Sequence, residues 1–271
     1  PYGGALGLFD AGPDFDTWAR GVTAANAQVK HIGNLALLVR SGPLPGSASW
    51  THDAADAART FCSQDDLVRP PLGILWYGDA NGCVLGNHGY DRARPQVSGG
   101  RVYILSQVWN PALIAYDAYT GRLLWRQDIK YSAYGENRHA HFVAQDDALY
   151  LAAGGKCRVF APATGQVVDT FTFDTNGTLK VKGLRVDEAV ILLACSELQT
   201  QDMRNADYWN IGYYEASLLL CLERRTGREL WRRRAQASFR ETGVALAAGR
   251  VFCVDAPSGL TPDQTNAAHA G

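Results

Sequence analysis

The stretch AYDAYTGRLLW, residues 115–125, passes from β-branched and aromatic side chains through an Asp and a Thr-Gly pair into a second apolar run ending on Trp. Asp117 is placed to accept from backbone N–H groups two residues on. Gly121 supplies the positive φ that closes a tight turn without a Cβ clash. Trp125 then offers a broad apolar face with one N–H in need of an acceptor, which suits the seam between two sheets.

The same turn returns as Thr164-Gly165 in VFAPATGQVV and Thr226-Gly227 in LLCLERRTGRELW, at spacings of 44 and 62 residues. A second motif, a turn followed by an alternating strand, precedes or follows each: GGRVYIL from Gly99, DDALYLA from Asp146, DEAVILL from Asp187 and AGRVFCV from Ala248. The two alternate, so the unit is a strand, a connection, a strand, a Thr-Gly turn and a closing strand. Repetition of several strands every 40 to 50 residues predicts a mainly β fold. The expected architecture is a partial β-propeller of four-stranded antiparallel blades, about three to four of them, preceded by a short α/β segment. Gly121, Gly165 and Gly227, with Trp125 and Trp231 at one offset, are its structural repeat residues. Asp169 stands at that offset in the middle unit, so the middle blade is expected to dock least well.

The first 46 residues differ. Residues 4–9 read as a strand; Asp14 or Asp16 can cap a helix with Phe15, Trp18, Ala19, Val22 and Ala25 on its apolar face; residues 35–39 read as a buried strand. Two strands and one helix bury too little to stand alone. SGPLPGS, residues 41–47, reads as a linker. The division is residues 1–46, an α/β segment, and 47–271, the partial propeller.

At 46% hydrophobic and 20% charged, the 271-residue chain has the balance of a globular protein with a proper core. Its 28 Gly and 11 Pro favour short strands and turns. A net charge of −1 gives no reason to expect nucleic acid. No run of about 18 uncharged apolar residues suits a membrane span. Six cysteines without a C-x-x-C spacing argue against zinc ribbons and thioredoxin-like chemistry. Cys157, Cys195, Cys221 and Cys253 lie in strand-like runs and read as buried free thiols.

AYDAYTGRLLW and LERRTGRELW resemble the repeats of pyrroloquinoline quinone-type propellers, in which a Gly and a Trp of each blade form a tryptophan-docking motif. SGPLPGSASWTHDAADAARTFCSQDDLVRPPLGILWYG and ARPQVSGGRVYIL are similar to a bacterial group of quinone-binding-like propeller repeat proteins, over about residues 50–257. Members of that group often carry a methyltransferase domain ahead of the propeller, and PYGGALGLFD resembles the end of one. Propellers of this type close with seven or eight blades, so the resemblance implies a longer natural protein, bacterial and exported to the periplasm or beyond. LGILWY, residues 72–77, reads as the closing strand of an earlier unit.

The dehydrogenases of this superfamily hold quinone and calcium with a catalytic Asp and commonly an adjacent Cys-Cys pair. That pair is missing here, so no catalytic residue and no cofactor is expected, with pyrroloquinoline quinone and calcium as the alternative. Binding candidates lie elsewhere. His52 in WTHD, and His88 with Arg94 in NHGYDRARP, suit a polar ligand or structural hydrogen bonds. His139 and His141 in RHAH share a strand face and are weak metal candidates, against a plain polar loop. An insertion of about twenty residues, 196–216, carries Tyr208, Trp209, Tyr213 and Tyr214 and suits stacking on a glycan or peptide, or packing over a blade edge. Arg224, Arg225, Arg228, Arg232, Arg233 and Arg234 read as a solvated hairpin. Asn176-Gly177-Thr178 reads first as a hairpin turn and second as a glycosylation acceptor. The expected partner is a small molecule, a glycan or a protein.

Overall fold

Alternation decides the core. In a sheet covered on both faces, odd and even residues of one strand bury against different neighbours, so such strands read as continuous apolar runs. The computed structural model describes residues 4–22, 26–77, 95–106, 111–129, 141–197 and 215–256. It shows three four-stranded antiparallel sheets in chain order. The first is β4 (Gln96–Ser98), β5 (Arg101–Ser106), β6 (Ala112–Asp117) and β7 (Leu123–Asp128). The second is β8 (His141–Ala144), β9 (Leu149–Ala153), β10 (Lys156–Phe160) and β11 (Val167–Thr172). The third is β12 (Leu179–Val186), β13 (Val190–Glu197), β14 (Glu215–Glu223) and β15 (Glu229–Arg240). A strand pair, β16 (Ala245–Ala247) and β17 (Arg250–Phe252), follows.

Each gap between consecutive sheets holds its own core. Leu149, Leu151 and Ala153 of β9 pack with Tyr103, Leu105 and Leu113 of the first sheet. Tyr150 and Ala152, from the same strand, pack with Ile191, Leu193 and Leu220 of the third. Leu192, Ala194 and Cys221 turn the other way, toward Phe239, Val244 and Val251. The meander order and these face-to-face cores make a partial β-propeller, with three four-stranded blades and a further strand pair among the described residues.

The segment before the linker needs correction. Between helix α1 (Asp14–Gly21) and β3 (Leu35–Arg40) lies a further strand, β2 (Ala27–Ile32), and with β1 (Ala5–Phe9) they form the antiparallel order β1-β3-β2. Pro13 holds the N-cap position without a side-chain hydrogen bond, so neither Asp14 nor Asp16 caps. Phe15, Ala19 and Ala36 are buried, whereas Trp18 is exposed and Val22 lies past the helix. Of residues 35–39 only Ala36 is buried, because one eight-residue helix cannot cover a sheet face. Ala25 lies outside the described residues.

Candidate functional site

Two constructions deserve chemical description, the seams between blades and the strap that crosses their inner edges.

At the seams, Asp117 Oδ1 accepts from the N–H of Tyr119 and Thr120, both at 3.0 Å, and Gly121 takes φ +69°. Trp125 lies over the next such turn: a Cβ on Gly165 would stand 2.5 Å from its Cε3, and its Nε1 donates to Pro162 O at 2.9 Å. Trp76 makes the same approach one blade earlier, 2.3 Å from a Cβ on Gly121, donating to Ala118 O at 2.9 Å. Between the second and third blades Phe171 fills the role, 2.2 Å from a Cβ on Gly227. The expected weakness of the middle blade is thus made good. Asp169 does stand in register with Trp125 and Trp231, opposite Val159, but Phe171, two residues on and therefore on the same face, supplies the ring. Trp231 is 39% exposed.

The strap is residues 50–59, which run along the inner strands. Trp50 exchanges backbone hydrogen bonds with Val97 of β4, at 2.7 and 2.8 Å. Thr51 O accepts from Ala144 of β8 at 3.0 Å, and Ala57 O from Leu246 of β16 at 2.9 Å. His52, 1% exposed, takes the N–H of Val186 of β12 on Nε2 at 3.1 Å. A backbone N–H only donates, so Nε2 is unprotonated and Nδ1 carries the proton toward Thr51 Oγ1 at 2.7 Å. Burial, then the charge of Arg185, lowers the His52 pKa from the ordinary 6.5 to about 3. Both ring nitrogens of His52 are thus engaged by its own chain. Gln96 joins the rim from the first sheet, accepting from Ala144 N at 2.7 Å and donating to Phe142 O at 2.7 Å.

Beside His52 sits a charge cluster that sequence reading missed. Arg185 donates to Glu241 at 2.5 Å and to Leu184 O at 2.8 Å. Arg59 reaches Asp53 at 3.3 Å and Glu241 at 3.6 Å, and Arg185 lies 3.7 Å from Asp53. Arg59, Arg185 and Glu241 side chains are each at most 8% exposed, and Asp53 is 22%. Two cations and two anions thus pair, which offsets the cost of burying them, while Arg59 Nε and Arg185 Nε find no hydrogen-bond partner among the described residues. Glu241 reaches in because Gly183 has no Cβ; one there would stand 2.7 Å from its Cγ. Ala55, Arg59 and Phe61 hold positive φ of 77°, 59° and 53°. Three strained residues in one short segment persist only where the surroundings over-determine them. Alternation in THDAADAAR offers no hint of this, since the partners arrive from residues 185 and 241.

The other candidates scatter. His88, Arg94, His139, Tyr208, Trp209, Tyr213 and Tyr214 lie outside the described residues. His141 opens β8 at the rim, and no group of three His, Cys, Asp or Glu able to hold a metal occurs among the described residues. Arg228, Arg232 and Arg234 pair with Glu223, Glu229 and Glu197, while Arg224 donates to the Tyr150 hydroxyl at 2.8 Å. Asn176-Gly177 forms no hairpin; it lies in the connection from β11 to β12, knotted by Asp174, which accepts from Leu179 N at 2.6 Å. Cys157, Cys195 and Cys221 are buried free thiols, raised by burial to about 12, 12 and 11. Cys253, expected buried, is exposed, because no further sheet among the described residues covers β17. No helix among the described residues is long and apolar enough to cross a membrane.

A family model described as outer membrane protein assembly factor BamB matches residues 72–192. No curated protein matches the chain. Solved structures that resemble it include a quinohemoprotein alcohol dehydrogenase from Pseudomonas putida HK5, 17% identical over 53% of this chain and 20% of that one, TM-score 0.40. The quinohemoprotein alcohol dehydrogenase of Comamonas testosteroni is 17% identical over 69% of this chain and 27% of its own, TM-score 0.46. BamB from Moraxella catarrhalis is 18% identical over 59% and 48%, TM-score 0.35. The chain thus spans less than half the length of each.

Proposed function

We propose that the chain is a noncatalytic propeller segment, a binding or scaffolding module of a larger exported bacterial protein. The observation that carries this is the self-paired cluster at the inner rim. Arg59, Arg185, Asp53 and Glu241 neutralise one another, and His52 is spent on backbone and Thr51, so the converging charges there serve the chain itself. Contact with a protein, a glycan or a small molecule then falls to residues away from this cluster, with Arg94, Tyr208, Trp209 and Tyr213 as the candidates. The seams, with an indole over each of two glycine turns, support reading Gly121, Gly165 and Trp125 as a tryptophan-docking device.

The test is titration of the purified protein with pyrroloquinoline quinone and calcium. The expected result is no change in quinone absorbance and no dye-linked alcohol oxidation. Stoichiometric quinone binding with turnover would overturn the proposal in favour of a quinone-dependent dehydrogenase.

One observation favours a further reading, an accessory propeller of a methyltransferase. The order β1-β3-β2, with α1 connecting β1 to β2 and Leu6, Leu8 and Phe9 of β1 exposed, supports taking residues 1–46 as the last strands of a larger α/β sheet. S-adenosylmethionine binding by a longer protein, lost on removing residues 1–46, is its expected signature.

A further inference from the structure

We infer that Asn176 is a covalent modification site, presented by the folded chain as the acceptor of an N-linked glycan. The inference goes beyond the function proposed above and rests on one part of it, the reading of the chain as exported.

Asn176-Gly177-Thr178 is the sole Asn-X-Ser/Thr triplet in the sequence. A hairpin would have accounted for its Asn-Gly pair by strand pairing alone, but the triplet lies between two blades, in the connection from β11 to β12. That connection is an anchored stem with an exposed tip. At the base of the stem the N–H groups of Phe173 and Asp174 both donate to Gly155 O, at 3.0 and 3.1 Å. Only glycine admits this approach, since a Cβ on Gly155 would stand 2.4 Å from Asp174 O. On the far side the N–H of buried Leu179 donates to Asp174 Oδ2 at 2.6 Å. Asp174 therefore fixes both ends of the loop. Thr175, Asn176, Gly177 and Thr178 between them are all exposed, and a Cβ on Gly177 would meet nothing within 4 Å.

The hydrogen bonds of the tip leave its reactive atoms available. Asn176 N donates to Asp174 Oδ1 at 3.1 Å, and Asn176 Oδ1 accepts from Thr175 Oγ1 at 3.5 Å. Asn176 Nδ2 donates to no group among the described residues. Thr178 Oγ1 has only a 3.5 Å contact with Asp174 Oδ1, weak enough to be given up to an enzyme. Amide, hydroxyl and the Asp174 carboxylate two residues before the Asn thus share one exposed turn, which a transferase can grip without opening a blade.

The donor is an oligosaccharide joined through a diphosphate to a lipid. Asn176 Nδ2 attacks the anomeric carbon of the first sugar. A C–N bond forms as the C–O bond to the diphosphate breaks, the lipid diphosphate leaves with the bonding pair, and Nδ2 gives one proton to a base of the transferase. No electrons are exchanged with a further reagent. The attached glycan stands in solvent, bulky and solubilising.

The test incubates the purified, folded chain with a bacterial oligosaccharyltransferase of the class that requires an acidic residue two before the Asn, and with a lipid-diphosphate-linked heptasaccharide. Intact mass spectrometry should show the 29.4 kDa chain gaining one glycan, mapped by fragmentation to Asn176. Asn176→Gln and Thr178→Ala change exposed side chains, and each should abolish the gain, whereas Thr178→Ser should keep it. A free peptide of residues 172–180 shows that enzyme and donor are active. Modification of the peptide but not of the folded chain would overturn the inference, as would a gain that survives Asn176→Gln. Enzyme and donor are supplied, so the outcome does not depend on where the chain resides; fractionation of the native cells tests export by itself.

Discussion

His52 and Gly165 each make one prediction possible at the scale of a residue. Gly165 combines φ +70° with an indole 2.5 Å from where a Cβ would sit, so Gly165→Ala strains the backbone and unseats Trp125. A loss of about 2–4 kcal/mol is expected, read as a lower denaturant midpoint at unchanged slope. For His52 the folded pKa, about 3, lies below the unfolded 6.5. Between those values the unfolded chain binds more protons, so stability falls as pH falls through that window. Denaturation against pH should show a loss on the order of 3 kcal/mol from neutrality to about pH 4. His52→Gln should flatten that dependence; an unchanged slope would mean that His52 is not the group responsible. The Asp117 turn was legible in AYDAYTGRLLW because its donors lie two and three residues away. The partner of His52 was not, being 134 residues distant.

At the scale of elements, the strap and the outer strands teach different lessons. All three outer strands carry a one-residue bulge at Leu124, Val168 and Leu230, so that Trp125, Asp169 and Trp231 face equivalent partners. Counting from the glycine therefore found the right register but not the right ring, since Phe171 sits one pleat further along. β2 was missed because AQVKHI alternates weakly and half its residues are polar. For the strap, Arg185→Met leaves Glu241 without its closest cation in a buried site, and a loss of about 3–5 kcal/mol is expected. Arg185→Met with Glu241→Met removes both charges of that pair and should cost much less. A double-mutant cycle by chemical denaturation measures the coupling; additivity would refute the pairing.

For the whole molecule, the cores between blades should open together. Cys157 and Cys195 belong to different blades yet line one core. In a Cys83→Ser background, a thiol reagent should modify Cys62 and Cys253 at once and the three buried cysteines only on unfolding. Cys157 and Cys195 should then react at one common rate set by opening of that interface. Separate rates would show that the blades melt independently. The architecture was legible because repetition is a global signal written in local turns. The inner rim was not, because it is assembled from segments that each look ordinary.

The strap also has a consequence in time. It precedes in the chain nearly everything it binds, and its last recorded partner among the inner strands is Leu246. At ~5–20 residues per second, a ribosome takes about ten to forty seconds to travel from Ala57 to Leu246. Until Val186 emerges His52 lacks its backbone donor, and until Glu241 emerges Arg59, and later Arg185, lack that carboxylate. The strap is then completed only when Glu241 and Leu246 have been made, although its contacts to Val97 and Ala144 need no residue beyond 144.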